Sequence, residues 1–290
     1  MGYDVWKTLY TDDFDTKKYL YHYTSIEKAI KIIHSEELRF ASISNTNDTS
    51  EAKLKIIYVA DFNNEIPYSD IRVQIVSAYF KKYYDIVRLL CFSMDTSLST
   101  KEKEAAESLH NNPSKDKYFD VSGRGFALPR MWSQYASNNE GLCFIINKEK
   151  LEEQINDSME FFKSGRVSYK GFFDCYKINE DKLDILSKRI EMVANGGLTL
   201  LNLMQKDKDF LNYNFFEKLN DWKNEHEYRY LALTDNSHNV ISIKNLFKYV
   251  EGIVIGEKIE PAYENVIKKV INDKCEVKKI IFGNRSCKLK

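Results

Sequence analysis

Three short stretches, far apart in the chain, carry side chains that could do chemistry together. The first is Tyr21-His22-Tyr23-Thr24-Ser25, a strand-like run that places a histidine just ahead of a helix. Backbone N–H groups and the dipole at a helix N-terminus favour anions, and an imidazole can hydrogen-bond a ribose hydroxyl or a phosphate. Tyr23 and Thr24 flank His22 as candidate ligand contacts. Tyr21 and Tyr23 also suit packing, and Thr24-Ser25-Ile26-Glu27 has the form of a capping box with Thr24 as N-cap. The second stretch is Met131-Trp132-Ser133-Gln134-Tyr135-Ala136. On a helix Trp132 and Tyr135 share a face, which makes either an aromatic core anchor or a stacking platform for a base or nicotinamide ring. Of the two, Trp132 suits packing and Tyr135 suits reaching a site. The third is Trp222-Lys223-Asn224-Glu225-His226-Glu227-Tyr228-Arg229. On a strand Glu225, Glu227 and Arg229 point to one face. They form either a solvated ion-pair ladder or a carboxylate pair that stabilises positive charge at an anomeric carbon, with Arg229 holding a carboxylate or gripping a phosphate. Arg39 and Arg130 are further candidate phosphate contacts by residue type alone.

Elements must hold these residues. Residues 19–24 read as a strand, and Ile26, Ala29, Ile30 and Ile33 mark the buried face of the helix that follows. A second strand is expected at 38–43, helices at about 50–62 and 69–84, and a central strand in the nearly continuous apolar run 86–93. Residues 95–128 are polar and irregular, a pattern that fits a loop, a lid or an insertion. Pro129 opens a helix. A strand at 141–147, a helix at 148–156 and a strand at 166–173 come next. A helical insertion over 180–219 is broken near Asn195-Gly196-Gly197. Strands at 226–234, 240–243, 252–255 and 277–282, with a helix at 261–271 between the last two, complete the order. Strand and helix do not alternate throughout. The order therefore predicts one α+β domain over 1–290, with a mixed, mostly antiparallel sheet and helices packed around it. No G-x-G-x-x-G or Walker loop is present, which removes the main support for Rossmann and P-loop readings.

Bulk composition narrows the classes further. The 43 basic residues balance the 43 acidic ones, so no global charge drives the chain toward nucleic acid. The cysteines at 91, 143, 175, 275 and 287 are widely spaced, never form C-x-x-C, and read as free thiols of a reducing compartment. No run of about 18 apolar residues exists, so a soluble, cytoplasmic protein with no membrane partner is expected.

The motifs together resemble the bacterial family called domain of unknown function 2971. They are Tyr21–Ser25, Asn47-Asp48-Thr49-Ser50-Glu51, Cys91-Phe92-Ser93, Met131–Ala136, Trp222–Arg229 and Ile280-Ile281-Phe282-Gly283, and they span roughly 19–285. Two positions depart from the pattern: Glu36-Glu37 stand where a glycine is common, and Thr49 where proline is usual. The family supplies no activity. At the level of fold, a strand ending in His-x-Thr, a helix behind it and a late strand bearing Glu are similar to the ADP-ribosyltransferase superfamily. That resemblance implies an ADP-ribosyltransferase-like core with NAD as substrate. It also implies that His22 holds a ribose, Tyr135 stacks on nicotinamide, and Glu227 is the catalytic carboxylate with Glu225 assisting. The partners would be a small nucleotide and a protein or nucleic-acid acceptor, or water. A toxin or defence role fits an accessory bacterial enzyme, but no residue argues for it.

Two other classes stay open on the residues. A binding or interaction module would use the aromatic motifs as core and the 95–128 stretch as a grip. A nuclease would need Asp48, Glu51, Glu225 and Glu227 to converge on a divalent ion. The spatial relation of His22, Tyr135 and Glu227 separates the classes most directly.

Overall fold

The computed structural model describes residues 18–46, 48, 51, 57–61, 64–96, 123–158, 162–171, 176–197, 202–203, 208–234, 240–271, 273–283 and 287–290. The strands, in chain order, are β1 (Tyr19–Thr24), β2 (Leu38–Arg39), β3 (Ala41–Ser42), β4 (Ile57–Asp61), β5 (Asn64–Glu65) and β6 (Val87–Met94). They continue as β7 (Leu142–Asn147), β8 (Phe162–Arg166), β9 (Ser168–Lys170), β10 (Tyr176–Ile178) and β11 (Glu217–Leu219). The last are β12 (Glu227–Leu233), β13 (Ser242–Ile243), β14 (Val250–Ile255), β15 (Glu276–Phe282) and β16 (Cys287–Leu289). The α-helices are α1 (Ile26–Ser35), α2 (Ile71–Ile86), α3 (Pro129–Tyr135), α4 (Lys148–Ser158), α5 (Glu180–Ala194), α6 (Lys208–Phe215) and α7 (Pro261–Ile271).

Among the described residues one nine-stranded sheet runs β16-β15-β14-β7-β1-β6-β12-β8, with β3 also paired to β6. Every pair is antiparallel except β14–β15, so the fold is α+β with a mixed, mostly antiparallel sheet. The central strands are apolar on both sides because helices cover both faces. Leu142–Asn147 is buried at every position. One face rests on a single core, in which Leu20, Leu90, Phe92, Phe144 and Tyr230 meet α1, α4 and α7 through Ala29, Ile33, Leu151, Ile155, Ile267 and Ile271. The opposite face carries two separate cores. Val87, Leu89 and Leu231 pack on α2, α5 and α6, while Tyr21, Tyr23, Cys143, Ile145 and Val254 pack on Phe126 and α3.

The sheet opens at its middle. β7 pairs with all six residues of β1, yet β6 meets β1 only at Leu20↔Met94 and Tyr21↔Ser93. β3 takes up the β6 edge again at Ala41↔Leu89 and Ser42↔Arg88. Between these two contacts, β1 and β6 part along Leu90–Phe92. That window is the structural origin of the site.

Several expected elements differ. The helix expected at 50–62 gives way to β4 at Ile57–Asp61, which is held by parallel pairing to β10 and antiparallel pairing to β5; residues 52–56 lie outside the described set. The strand expected at 166–173 is two short ones, β8 and β9, on either side of Val167, because β8 pairs with β12 whereas β9 pairs with β11. The N-cap of α1 is Ser25, whose hydroxyl faces the Lys28 N–H at 3.5 Å, and not Thr24, which ends β1 and is buried. The long helical stretch breaks after Ala194, as Asn195-Gly196-Gly197 suggested, is helical again at residues 202–203 and in α6, and then turns into β11. Of residues 95–128, those at 97–122 lie outside the described set, as does Cys175. The described cysteines at 91, 143 and 275 are free thiols. Glu36 ends α1 in the left-handed region at φ 51°, the position where a glycine is favoured.

Candidate functional site

The window in the sheet is the floor of a cleft of about 390 Å³, a size suited to a small-molecule ligand. His22 enters it from β1. Its Nδ1 lies 3.1 Å from the Cys91 carbonyl oxygen on β6. A carbonyl can only accept, so Nδ1 carries the proton and Nε2 is the acceptor of the neutral ring. Burial lowers the His22 pKa, the nearby Lys28 adds to that, and the Cys91 bond opposes it. The imidazole can therefore take a hydrogen bond from a ligand hydroxyl. Its one N–H is engaged with the backbone, so it does not donate to a phosphate.

The far wall is ionic. Glu225 ends a 3-10 turn (Asn220–Glu225), and His226 follows at φ 48°, in the left-handed region, before β12 begins at Glu227. Glu225 thus lies outside the strand, contrary to the simple alternation of a strand, but this turn still aims it at the same place as Glu227. Lys218 on β11 meets both, with Nζ 2.8 Å from Glu225 Oε2 and 3.1 Å from Glu227 Oε2. Arg229 clamps Glu227 bidentately, Nε to Oε1 at 2.6 Å and Nη2 to Oε2 at 2.9 Å, and donates through Nη1 to the Phe215 carbonyl at 2.8 Å. Glu51 closes the group, 2.6 Å from Arg229 Nη2 and 3.6 Å from Lys218 Nζ. Tyr135, at the end of α3, donates its phenol O–H to Glu225 Oε1 at 2.6 Å. The Glu227 N–H donates to the Tyr169 hydroxyl.

Burial and charge oppose each other here. Arg229 and Lys218 overcome the desolvation of Glu227 and hold its carboxyl down at about 2. The carboxylates overcome the desolvation of Lys218 and raise its pKa. Glu51 goes the other way: burial raises its pKa beyond what Arg229 and Lys218 recover. Burial and the adjoining Glu225 carboxylate raise the Tyr135 phenol. Cations also mark the entrance, where Lys28 is exposed and Arg39 is 63% exposed with a loose 3.7 Å approach to Glu37.

The cleft brings together His22, Tyr23, Thr24, Arg39, Tyr135, Glu225, Glu227 and Arg229. It does not include Trp132. That indole is fully buried, stands edge-on to Tyr23 at 5.4 Å and donates Nε1–H to the Phe126 carbonyl, so it anchors the core and is not a stacking platform. Tyr23 lines the cleft but is buried, with its hydroxyl donating to the Gly125 carbonyl. Arg229 is 0% exposed and committed to two carboxylates and a carbonyl, which corrects its role as a phosphate ligand. Arg130 lies outside the lining, bonded to the Asp221 carbonyl and over Trp222 at 5.5 Å. Sequence reasoning missed Lys218 altogether and considered Glu51 only as a metal ligand. A lysine between Phe216 and Leu219 is a weak sign of a buried cation; it becomes readable only when β11 is placed beside β12.

The Met131–Ala136 and Trp222–Arg229 motifs are now seen to build one wall between them. Residues 131–230 match the family model described as Protein of unknown function (DUF2971). The matched segment contains Tyr135, Lys218, Glu225, Glu227 and Arg229, whereas His22 and Glu51 lie N-terminal to it. No curated protein and no solved structure matches the chain. Among the described residues no helix is long and apolar enough to cross a membrane.

Proposed function

We propose that the cleft binds NAD and cleaves its nicotinamide–ribose bond, passing ADP-ribose to an acceptor or to water. One observation carries this reading: His22, Tyr135, Glu225 and Glu227, from three separate parts of the chain, line a single cleft. The chemistry needs little covalent help from a protein. As the C–N bond breaks, its electron pair passes to the pyridinium nitrogen and positive charge develops at the anomeric carbon. Fixed carboxylates in a buried site stabilise that charge without reorganising. Glu227 stays ionised at neutral pH because Arg229 and Lys218 hold it so. His22 Nε2 takes a ribose hydroxyl, the Tyr135 ring borders the nicotinamide, and Arg39 and Lys28 at the entrance face the diphosphate. Water or a side-chain nucleophile then adds to the ribose and loses its proton.

Labelled NAD incubated with the protein, alone and with cell lysate, is the test. Nicotinamide release that Glu227→Gln abolishes is expected; release that survives in Glu227→Gln removes the reading.

A second reading is binding without turnover. It is favoured by the pairing of both Glu227 oxygens with Arg229, which leaves that carboxylate less open to a ligand. Saturable NAD binding by calorimetry with no nicotinamide release would select it. A metal-dependent nuclease has less support, because Glu51, Glu225 and Glu227 converge on Lys218 and Arg229, whose positive charges repel a divalent ion.

A further inference from the structure

Among the described residues the ionic wall is out of balance: Glu51, Glu225 and Glu227 face Lys218 and Arg229. Three carboxylates and two cations, all nearly shut off from water, leave one negative charge that burial makes costly. A proton on one carboxyl removes it, and the hydrogen bonds say which. Glu227 accepts from Arg229 through both oxygens and from Lys218, so protonating it would break a bidentate pair. Glu225 accepts from Lys218 on one oxygen and from Tyr135 on the other. Glu51 accepts from neither cation. Its Oε1 makes a 2.6 Å ion-pair contact with Arg229 Nη2, but neither of its buried oxygens has a partner of hydrogen-bond geometry. It is 2% exposed and lines the cleft.

We propose that Glu51 carries the proton of this cluster and is the neutral carboxylic acid of the cleft, presenting an O–H donor to a carbonyl or carboxamide oxygen of the ligand. The groups that face it are Lys218 from β11, and Glu227 and Arg229 from β12. The upward shift of its carboxyl by burial agrees with the hydrogen-bond pattern. With Oε1 beside Arg229, a protonated Glu51 would offer its O–H to an acceptor, so the cleft could distinguish a carboxamide from a carboxylate on an otherwise similar ring. The protonation state stands independently of the proposed reaction; the choice of nicotinamide as probe rests on it.

Infrared difference spectroscopy of the full chain at neutral pH tests the protonation directly. Wild type minus Glu51→Gln should show the carbonyl stretch of a protonated carboxyl; the same band should persist in Asp95→Ala and fade in Glu225→Gln, which removes the excess negative charge of the cluster. A band that survives in Glu51→Gln, or no band in the wild type, overturns the proposal. Nicotinamide and nicotinic acid, titrated calorimetrically, test the donor role. Glu51→Gln keeps a neutral donor and should hold nicotinamide within about twofold of wild type, whereas Glu51→Ala should weaken it roughly tenfold. Equal affinity in Glu51→Ala and wild type overturns the donor role. If none of the three proteins binds nicotinamide, the donor role and the NAD reading both fall, and the infrared band still decides where the proton sits.

Discussion

Two buried ionic sites lie on this sheet, and they are built differently. Asp95, just past β6, pairs with Arg124 at 3.1 Å and accepts the Gly125 N–H at 2.8 Å; the two side chains are almost completely enclosed. Neither residue lines the cleft. The Thr96 N–H donates to the Gly123 carbonyl beside it, so the pair ties together the two chain segments on either side of residues 97–122. The cleft wall, by contrast, joins three acids to two bases and opens on the cavity. An enclosed pair away from the cleft stabilises a fold. An unbalanced one facing a cavity leaves charge and hydrogen-bonding capacity for a ligand.

That contrast can be broken most sharply at Asp95. Asp95→Ala removes the carboxylate that pairs with buried Arg124 and should lower stability by about 3–5 kcal/mol in urea unfolding. Nicotinamide release per folded molecule should not change; if it falls, the two sites are one. Glu227→Gln should do the reverse at the chemical step, reducing release by roughly 10²–10³ with circular dichroism still native. A variant as active as wild type would make the wall merely structural.

The pH dependence of stability sharpens the difference within the wall itself. Glu227 is held below its unfolded value, so its contribution is present above about pH 4.5 and is lost as pH falls toward about 2. The destabilisation caused by Glu227→Gln should therefore shrink on acidification. Glu51 is raised, so its contribution is present below its unfolded pKa and is lost as pH rises through its folded pKa. Glu51→Gln should gain stability relative to wild type as pH rises. Urea midpoints measured across the acid and neutral range check both signs, and parallel curves for the two variants would contradict them.

Smaller effects separate packing from contact with the ligand. Trp132→Phe leaves the Phe126 carbonyl without its donor and should cost about 1–3 kcal/mol in thermal unfolding, with ligand affinity unchanged. Tyr135→Phe removes only the phenol bond to Glu225, a loss of about 1 kcal/mol, and should alter NAD binding by a few-fold. An affinity change in Trp132→Phe larger than that in Tyr135→Phe would reverse the assignment of core and cleft.

Much of the scaffold was legible because its signals are local. The periodic face of α1, the proline that opens α3, the apolar run of β6 and the helix at Pro261–Ile271 all fall where the sequence puts them. Ile57–Asp61 was not legible. A short stretch of mixed polarity takes its state from its pairing with β10 and β5, and no local pattern encodes those partners. The cleft divides the same way. His22, Tyr135, Glu225 and Glu227 stood out by residue type and motif, but Lys218 gave no such sign.

By itself the sequence determined which residues could do chemistry and that a mixed sheet flanked by helices would carry them, because hydrophobic period, capping and turn residues act over a few positions. Only the tertiary structure decided how those residues are used. The separation of β1 from β6 opens the cleft. The register Arg229↔Cys91 sets the guanidinium behind it, and β11 brings Lys218 between two glutamates. Whether a carboxylate is ionised, neutral or free to meet a ligand depends on distances of a few ångströms between groups tens of residues apart, and only the assembled sheet determines those distances.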